Sequence, residues 1–139
     1  MTTPNPNSDI ETRRIPDNQL EGYFAHFTKN FLMRESTNSI DIEVLGKDSG
    51  DQFEAEGARI FGVTFDPKEN ALEFELEAGD HRVVKPKEIW VAEEPDGFIK
   101  AIEVVREDGT REVAKVKRGA LAPLGTTAEP NADRPQPSA

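Results

Sequence analysis

The sequence predicts a single α+β domain, in which one N-terminal helix packs on a strongly bent antiparallel sheet of about six strands. Three observations support this prediction. An aromatic stripe with helical spacing lies near the start of the chain, β-rich segments separated by turn sequences follow it, and both ends are rich in small and turn-forming residues.

The helix is predicted from five apolar residues that recur at positions i, i+3, i+4, i+7 and i+11. They are Leu20, Tyr23, Phe24, Phe27 and Phe31. This spacing places all of them on one narrow face of a helix. We expect the sheet to cover that face, and a groove for a ligand or partner is the alternative.

The first strands are predicted from the alternation of apolar and polar residues. Residues 38–45 and 71–77 each give one buried and one solvated face, with Glu73, Glu75 and Glu77 pointing outward in the second segment. Residues 59–65 are apolar on both alternations, which is typical of a central strand.

Residues 88–117 are predicted to form a three-stranded meander, because two turn sequences divide them. These are Pro95-Asp96-Gly97 and Asp108-Gly109. We expect a two-residue type I′ turn at Asp108-Gly109, with both residues at positive φ.

That turn predicts a register for the last two strands. It sets Val104 opposite Val113 and Ala101 opposite Val116. The two pairs lie on opposite faces of the sheet, so the middle strand should be covered on both sides unless the sheet curls. We therefore expect a strongly bent sheet or a half-open barrel, with the helix closing one side.

The ends of the chain are predicted to lie outside the folded domain. Residues 1–13 are expected to form a disordered arm and residues 119–139 a disordered tail, because neither can bury enough apolar surface to offset its ordering entropy. Residues 14–118 then form the domain.

The composition excludes several classes of function. The chain has no Cys, which rules out disulfides, thiolate metal sites and Cys nucleophiles. It contains no phosphate-binding loop or dinucleotide fingerprint, so no cofactor is expected. A net charge of −10 argues against nucleic acid as a partner. No apolar run is long enough to span a membrane, so we expect a cytoplasmic protein without membrane contact.

The negative charge is concentrated in one part of the chain. Residues 35–80 hold thirteen acidic and three basic side chains, whereas residues 81–118 hold eight acidic and nine basic ones. Solubility alone would explain such a surplus, and a docking face for a basic protein partner is the sharper interpretation. Glu73, Glu75 and Glu77 are the predicted partner-binding residues.

An acidic segment at residues 48–56 is the candidate cation site. Asp48, Asp51, Glu54 and Glu56 could supply part of the oxygen shell of Ca²⁺. The EF-hand pattern fails, however, because Arg59 stands at the twelfth position, where a bidentate Glu is required.

Several motifs resemble those of a family of small bacterial proteins. They are Arg14-Ile15-Pro16 before the run Tyr23 to Phe27, then His81 to Pro86, Trp90-Val91, Asp96-Gly97, Ala101-Ile102-Glu103 and Asp108-Gly109-Thr110. Together they are similar to domain-of-unknown-function family 5335 over roughly residues 13–117. The resemblance implies no activity and no catalytic residues.

From these patterns we expect a non-enzymatic interaction module with an acidic face for a basic partner. One alternative is a protein that binds a small ligand or a divalent cation. The other is an enzyme that uses His81 and a nearby carboxylate as acid and base. The sequence indicates no oligomeric state.

Overall fold

The computed structural model describes residues 9–32, 37–46 and 50–119. Its helix, α1, spans Leu20–Phe27, follows a 3₁₀ turn at Asp17–Gln19 and runs into a π-helical turn at Thr28–Leu32. The strands of the described residues are β1 (Glu11–Arg14), β2 (Ser39–Gly46), β3 (Gly50–Asp66), β4 (Ala71–Leu76), β5 (His81–Val84), β6 (Pro86–Glu93), β7 (Ile99–Arg106) and β8 (Arg111–Lys117). The predicted helix and α+β class are confirmed.

All eight strands belong to one antiparallel sheet in the order β1-β6-β7-β8-β2-β3-β4-β5. The sheet is open, with β1 and β5 at its edges, so the predicted half-open barrel is wrong and about six strands is too few. Part of the difference is β1, where Glu11 pairs with Glu93 and Arg14 with Trp90. Residues 11–13, which were assigned to the N-terminal arm, therefore join the sheet. Residues 1–8 of that arm and 120–139 of the tail lie outside the described part.

Strand β3 is long because it pairs with two neighbours in turn. Residues 50–59 pair with β2, and residues 60–66 pair with β4. Three irregularities in register interrupt these ladders, and such bulges bend a strand. Gly57 has φ +62° at one of them, and its N–H donates to Asp41 Oδ1 at 2.6 Å. From residue 50 onward, the acidic segment 48–56 is therefore part of a strand.

The aromatic stripe of α1 packs on the sheet as predicted. Leu20, Phe24 and Phe27 are buried, and Tyr23 and Phe31 are half-buried against the same core. Because Phe24 and Phe27 are almost fully buried, each should stabilise the fold by about 1.5–3 kcal/mol.

The π-helical turn that follows α1 covers one edge of β3 beyond residue 59, where β2 no longer pairs with that strand. The Thr28 hydroxyl accepts the Val63 N–H and donates to the Val63 carbonyl, both at 2.9 Å. One side chain thus satisfies two backbone groups that no neighbouring strand reaches on that side.

The predicted register of β7 and β8 is wrong by one residue. Gly109 has φ +91°, but Asp108 does not have a positive φ, so the turn is not type I′. Arg106 N–H instead donates to the Thr110 carbonyl at 2.8 Å, which closes a three-residue loop. Val104 therefore lies opposite Glu112 rather than Val113.

This shift decides which face of β8 is buried. A slip of one residue moves every side chain of a strand to the other face. Glu112, Ala114 and Val116 consequently face the core, while Val113 is only half-buried. The two-sided burial that predicted a strong curl disappears, because Ile102 and Val104 share one face, and Ile99, the third buried residue of β7, lies before an irregularity in register.

No helix in the described part of the chain is long and apolar enough to cross a membrane.

Candidate functional site

Two of the three predicted partner-binding residues lie on the exposed side of β4, and the third directly follows the strand. We call the side chains of Glu73, Glu75 and Glu77 the acidic face. They alternate with buried Leu72, Phe74 and Leu76, which hold the strand on the core. Glu75 and Glu77 are exposed and Glu73 is half-buried. The period-two pattern of this segment is thus enough to place all three carboxylates on one side.

The neighbouring strand leaves the acidic face open. Gly62 and Thr64 of β3 lie opposite Glu75 and Glu73. A methyl group at Gly62 would stand 3.2 Å from Glu75 Oε1, so the missing side chain makes room for that carboxylate. Thr64 Oγ1 makes a long contact of 3.5 Å with Glu75 Oε2.

An exposed aromatic ring stands next to this carboxylate row. Phe61 keeps 41% of its surface accessible, and the Arg59 guanidinium lies 5.4 Å from its ring centroid. An exposed ring of this size beside charged groups is a feature of protein-binding surfaces.

Two arginines border the acidic face, Arg59 over the Phe61 ring and Arg82. Arg82 of β5 lies 4.0 Å from both Glu73 and Asp66. Glu75 and Glu77 form no ion pair with any residue in the described ranges. Carboxylates without paired cations leave a negative potential over this part of the sheet.

The candidate cation site is only partly described. Asp51, Glu54 and Glu56 are exposed along β3, and Asp48 lies outside the described residues. Within residues 9–32, 37–46 and 50–119 no group of three or more His, Asp or Glu side chains is placed to hold a metal ion. The four-residue cation site remains a prediction.

His81, the candidate acid–base residue, meets a carboxylate from a distant strand. Its Nε2 lies 2.7 Å from Glu112 Oε1, although β2, β3 and β4 separate β5 from β8 in the sheet. The His81 ring also stacks on Phe74, with centroids 6.2 Å apart. Arg106 Nη1 approaches the other oxygen of Glu112 at 3.5 Å. We call His81, Arg106 and Glu112 the buried ionic cluster.

The contacts of this cluster are structural. Glu112 is only 4% exposed, and both of its oxygens have partners. Arg106 Nε donates to the Val84 carbonyl at 3.3 Å, which ties β7 to β5. A cleft of about 430 Å³ lies beside Arg106, but neither His81 nor Glu112 lines it. The pair therefore gives no support to acid–base chemistry on a bound substrate.

Sequence reasoning found His81 but missed Glu112. The sequence indicated only an unspecified nearby carboxylate as the partner of His81, and the predicted two-residue turn gave a register that did not single out Glu112. The signal that could have found it is the segment Glu107-Asp108-Gly109, which also suits a three-residue loop with Gly at the left-handed position.

A second carboxylate is held between β1, α1 and β6. The Tyr23 hydroxyl donates to Glu93 Oε2, and Arg13 Nη2 lies 3.4 Å from the same oxygen. Burial raises the pKa of Tyr23 well above its ordinary value, and the hydrogen bond to the Glu93 carboxylate and its negative charge raise it further. The phenol therefore stays protonated and serves as a hydrogen-bond donor.

The sequence matches, over residues 11–124, the family described as "Family of unknown function (DUF5335)". An uncharacterized protein of Aquifex aeolicus (strain VF5) is 41% identical over 109 residues, which covers 78% of this chain and 94% of the relative. No solved structure matches. The family resemblance that the sequence motifs indicated is confirmed.

Proposed function

The chain belongs to the DUF5335 family of proteins of unknown function, and from this premise we propose that it is a non-enzymatic protein-interaction module. Its acidic face, Glu73, Glu75 and Glu77, binds a basic protein partner. The observation that supports the proposal is the exposure of Glu75 and Glu77 without an ion pair in the described part of the chain.

The backbone beneath the acidic face is well fixed. Glu77 N–H donates to the Arg59 carbonyl at 3.0 Å, and β4 pairs on both sides, with β3 and β5. A partner therefore meets carboxylates whose backbone is already ordered, which lowers the entropy cost of binding.

Charge and apolar surface have separate roles in this proposal. The carboxylates attract a basic partner over a Debye length of about 8 Å at physiological salt and raise the association rate. Phe61 supplies the adjoining apolar contact, and aromatic side chains of this kind carry much of the affinity in protein interfaces.

The test is affinity capture from a lysate of the source organism with three forms of the chain. The first is wild type, the second is Glu75→Lys/Glu77→Lys, and the third is the control Glu11→Lys/Glu21→Lys. Each double variant changes the net charge from −10 to −6, but only the second alters the acidic face.

We expect wild type and control to retain the same Lys- and Arg-rich proteins, and the acidic-face variant to lose them. Elution of those proteins should occur at lower salt as negative charge is removed. Identical capture by all three forms would contradict the proposal.

A further inference from the structure

A groove of about 410 Å³ lies on the part of the sheet formed by β6, β7 and β8, away from the acidic face. Its apolar lining includes Ile10, Ala92 and Ala101, and Val116, whose side chain faces the core, also borders it. Ala92 and Ala101 are direct cross-strand partners, so two methyl side chains meet where larger ones would fill the space. The volume falls within the range of about 300–1,000 Å³ that small-molecule sites occupy.

Three exposed lysines border this groove: Lys100, Lys115 and Lys117. None of their ammonium groups forms an ion pair with any residue in the described ranges. One carboxylate, Asp41, also lines the groove opposite Lys115, but its Oδ1 accepts the Gly57 N–H. The groove thus combines an apolar floor with an excess of two positive charges, in a chain whose net charge is −10.

We propose that this groove, the lysine groove, binds a free fatty acid. The aliphatic chain lies over Ala92 and Ala101, and the carboxylate lies among the three ammonium groups. The apolar floor favours an anion that carries an aliphatic chain over inorganic phosphate, which has no apolar part to cover Ala92 and Ala101. Lysine serves here as a flexible point charge rather than as a geometric clamp.

The lysine groove is tested by titrating the full chain with decanoate, with calorimetry and backbone amide chemical shifts as readouts. We expect saturable binding with the largest shifts at Ala92, Ala101 and their neighbours. Acetate, which has the head group without the chain, and decyltrimethylammonium, which has the chain with the opposite charge, should each bind at least about tenfold more weakly. Equal binding of decyltrimethylammonium would overturn the proposal.

Two variants assign the binding to this groove. Lys100→Gln/Lys115→Gln/Lys117→Gln should weaken decanoate binding by at least about tenfold. The control Lys29→Gln/Lys68→Gln/Lys87→Gln removes the same charge from exposed lysines elsewhere and should bind like wild type. Ala101→Leu fills the floor and should abolish binding, with a thermal melt confirming that it folds. Unchanged decanoate binding in both the lysine-groove variant and Ala101→Leu would overturn the proposal.

A final experiment distinguishes binding of a free fatty acid from binding to a lipid membrane. Vesicles of phosphatidylglycerol should not co-sediment with the chain, because the groove accommodates one chain and not a bilayer. Co-sedimentation that the three-lysine variant abolishes would assign these lysines to membrane binding and overturn the proposal.

Discussion

The meander β6–β8 and the pair β3–β4 are both rich in charge, but they use it differently. In the meander, arginines meet carboxylates across strands and turns, whereas the three lysines of the lysine groove form no ion pair with a described residue. Arg111 lies 2.5 Å from Glu103, and Arg118 bridges Glu94 at 2.8 Å and Asp96 at 2.5 Å. On β4, Glu75 and Glu77 have no ion-pair partner among the described residues.

This difference in ion pairing distinguishes charged side chains that stabilise the fold from charged side chains that can contact a partner. Arg118 also lies 4.4 Å from the Phe98 ring centroid, so its ion pairs anchor the end of β8 over the aromatic core. The buried ionic cluster is the extreme case, since Glu112 would be an uncompensated buried charge without its partners. Within the acidic face, Glu75 and Glu77 make no such contact with a described residue, and this is the reason why we propose the acidic face as a binding surface.

The largest expected difference in the free energy of unfolding is between a variant that removes the buried carboxylate of Glu112 and one that removes the exposed carboxylate of Glu75. Glu112→Ala takes the acceptor from both His81 and Arg106. It should lower the free energy of unfolding by about 1–3 kcal/mol, because it leaves the partly exposed His81 and Arg106 donors without their buried acceptor. Glu75→Ala should change it by less than about 0.5 kcal/mol.

Urea unfolding followed by Trp90 fluorescence measures both variants. A loss below about 1 kcal/mol for Glu112→Ala would show that the buried ionic cluster does not hold β5 to β8.

An intermediate effect is expected at Arg118. Arg118→Ala removes two ion pairs and the contact with Phe98, and should cost about 1–2 kcal/mol. Arg118→Lys keeps the charge but not the planar fork, so it should recover only part of that loss.

The same variant has a defined pH signature. The hydrogen bond from Arg118 is the largest cause that holds the pKa of Asp96 below its ordinary value, and the Phe98 N–H adds to it. A lowered carboxyl pKa stabilises the fold above the unfolded pKa of about 4, and this stabilisation is lost as pH falls through the folded pKa. In Arg118→Ala the pKa of Asp96 should rise, and carbon-detected NMR titration of that side chain measures it. An unchanged pKa would exclude Arg118 as its cause.

The smallest effect on stability is expected at Arg82, the cation beside the acidic face. Its 4.0 Å contacts with Asp66 and Glu73 are exposed, so Arg82→Gln should cost at most about 0.5 kcal/mol. The variant nonetheless makes the acidic face more negative, and basic proteins captured by the chain should then elute at higher salt. Elution at lower salt than from wild type would mean that Arg82 itself contacts the partner.

Local patterns predicted the elements of the fold better than their pairing. The stripe from Leu20 to Phe31 and the alternation of residues 71–77 each report which side of one element is buried, and both predictions hold. The short strand β1 carries no such pattern, because all four of its side chains are exposed. Its place in the sheet comes from backbone pairing with β6, and side-chain periodicity carries no information about that pairing.

The sequence by itself determined the helix, the exposed row of glutamates and the family, because each depends on residues close together in the chain. Only the tertiary structure decided that β8 turns Glu112 inward to meet His81, and that Ala92 and Ala101 lie side by side under three lysines. These arrangements depend on the register between strands, where the length of one turn sets the face of every side chain that follows.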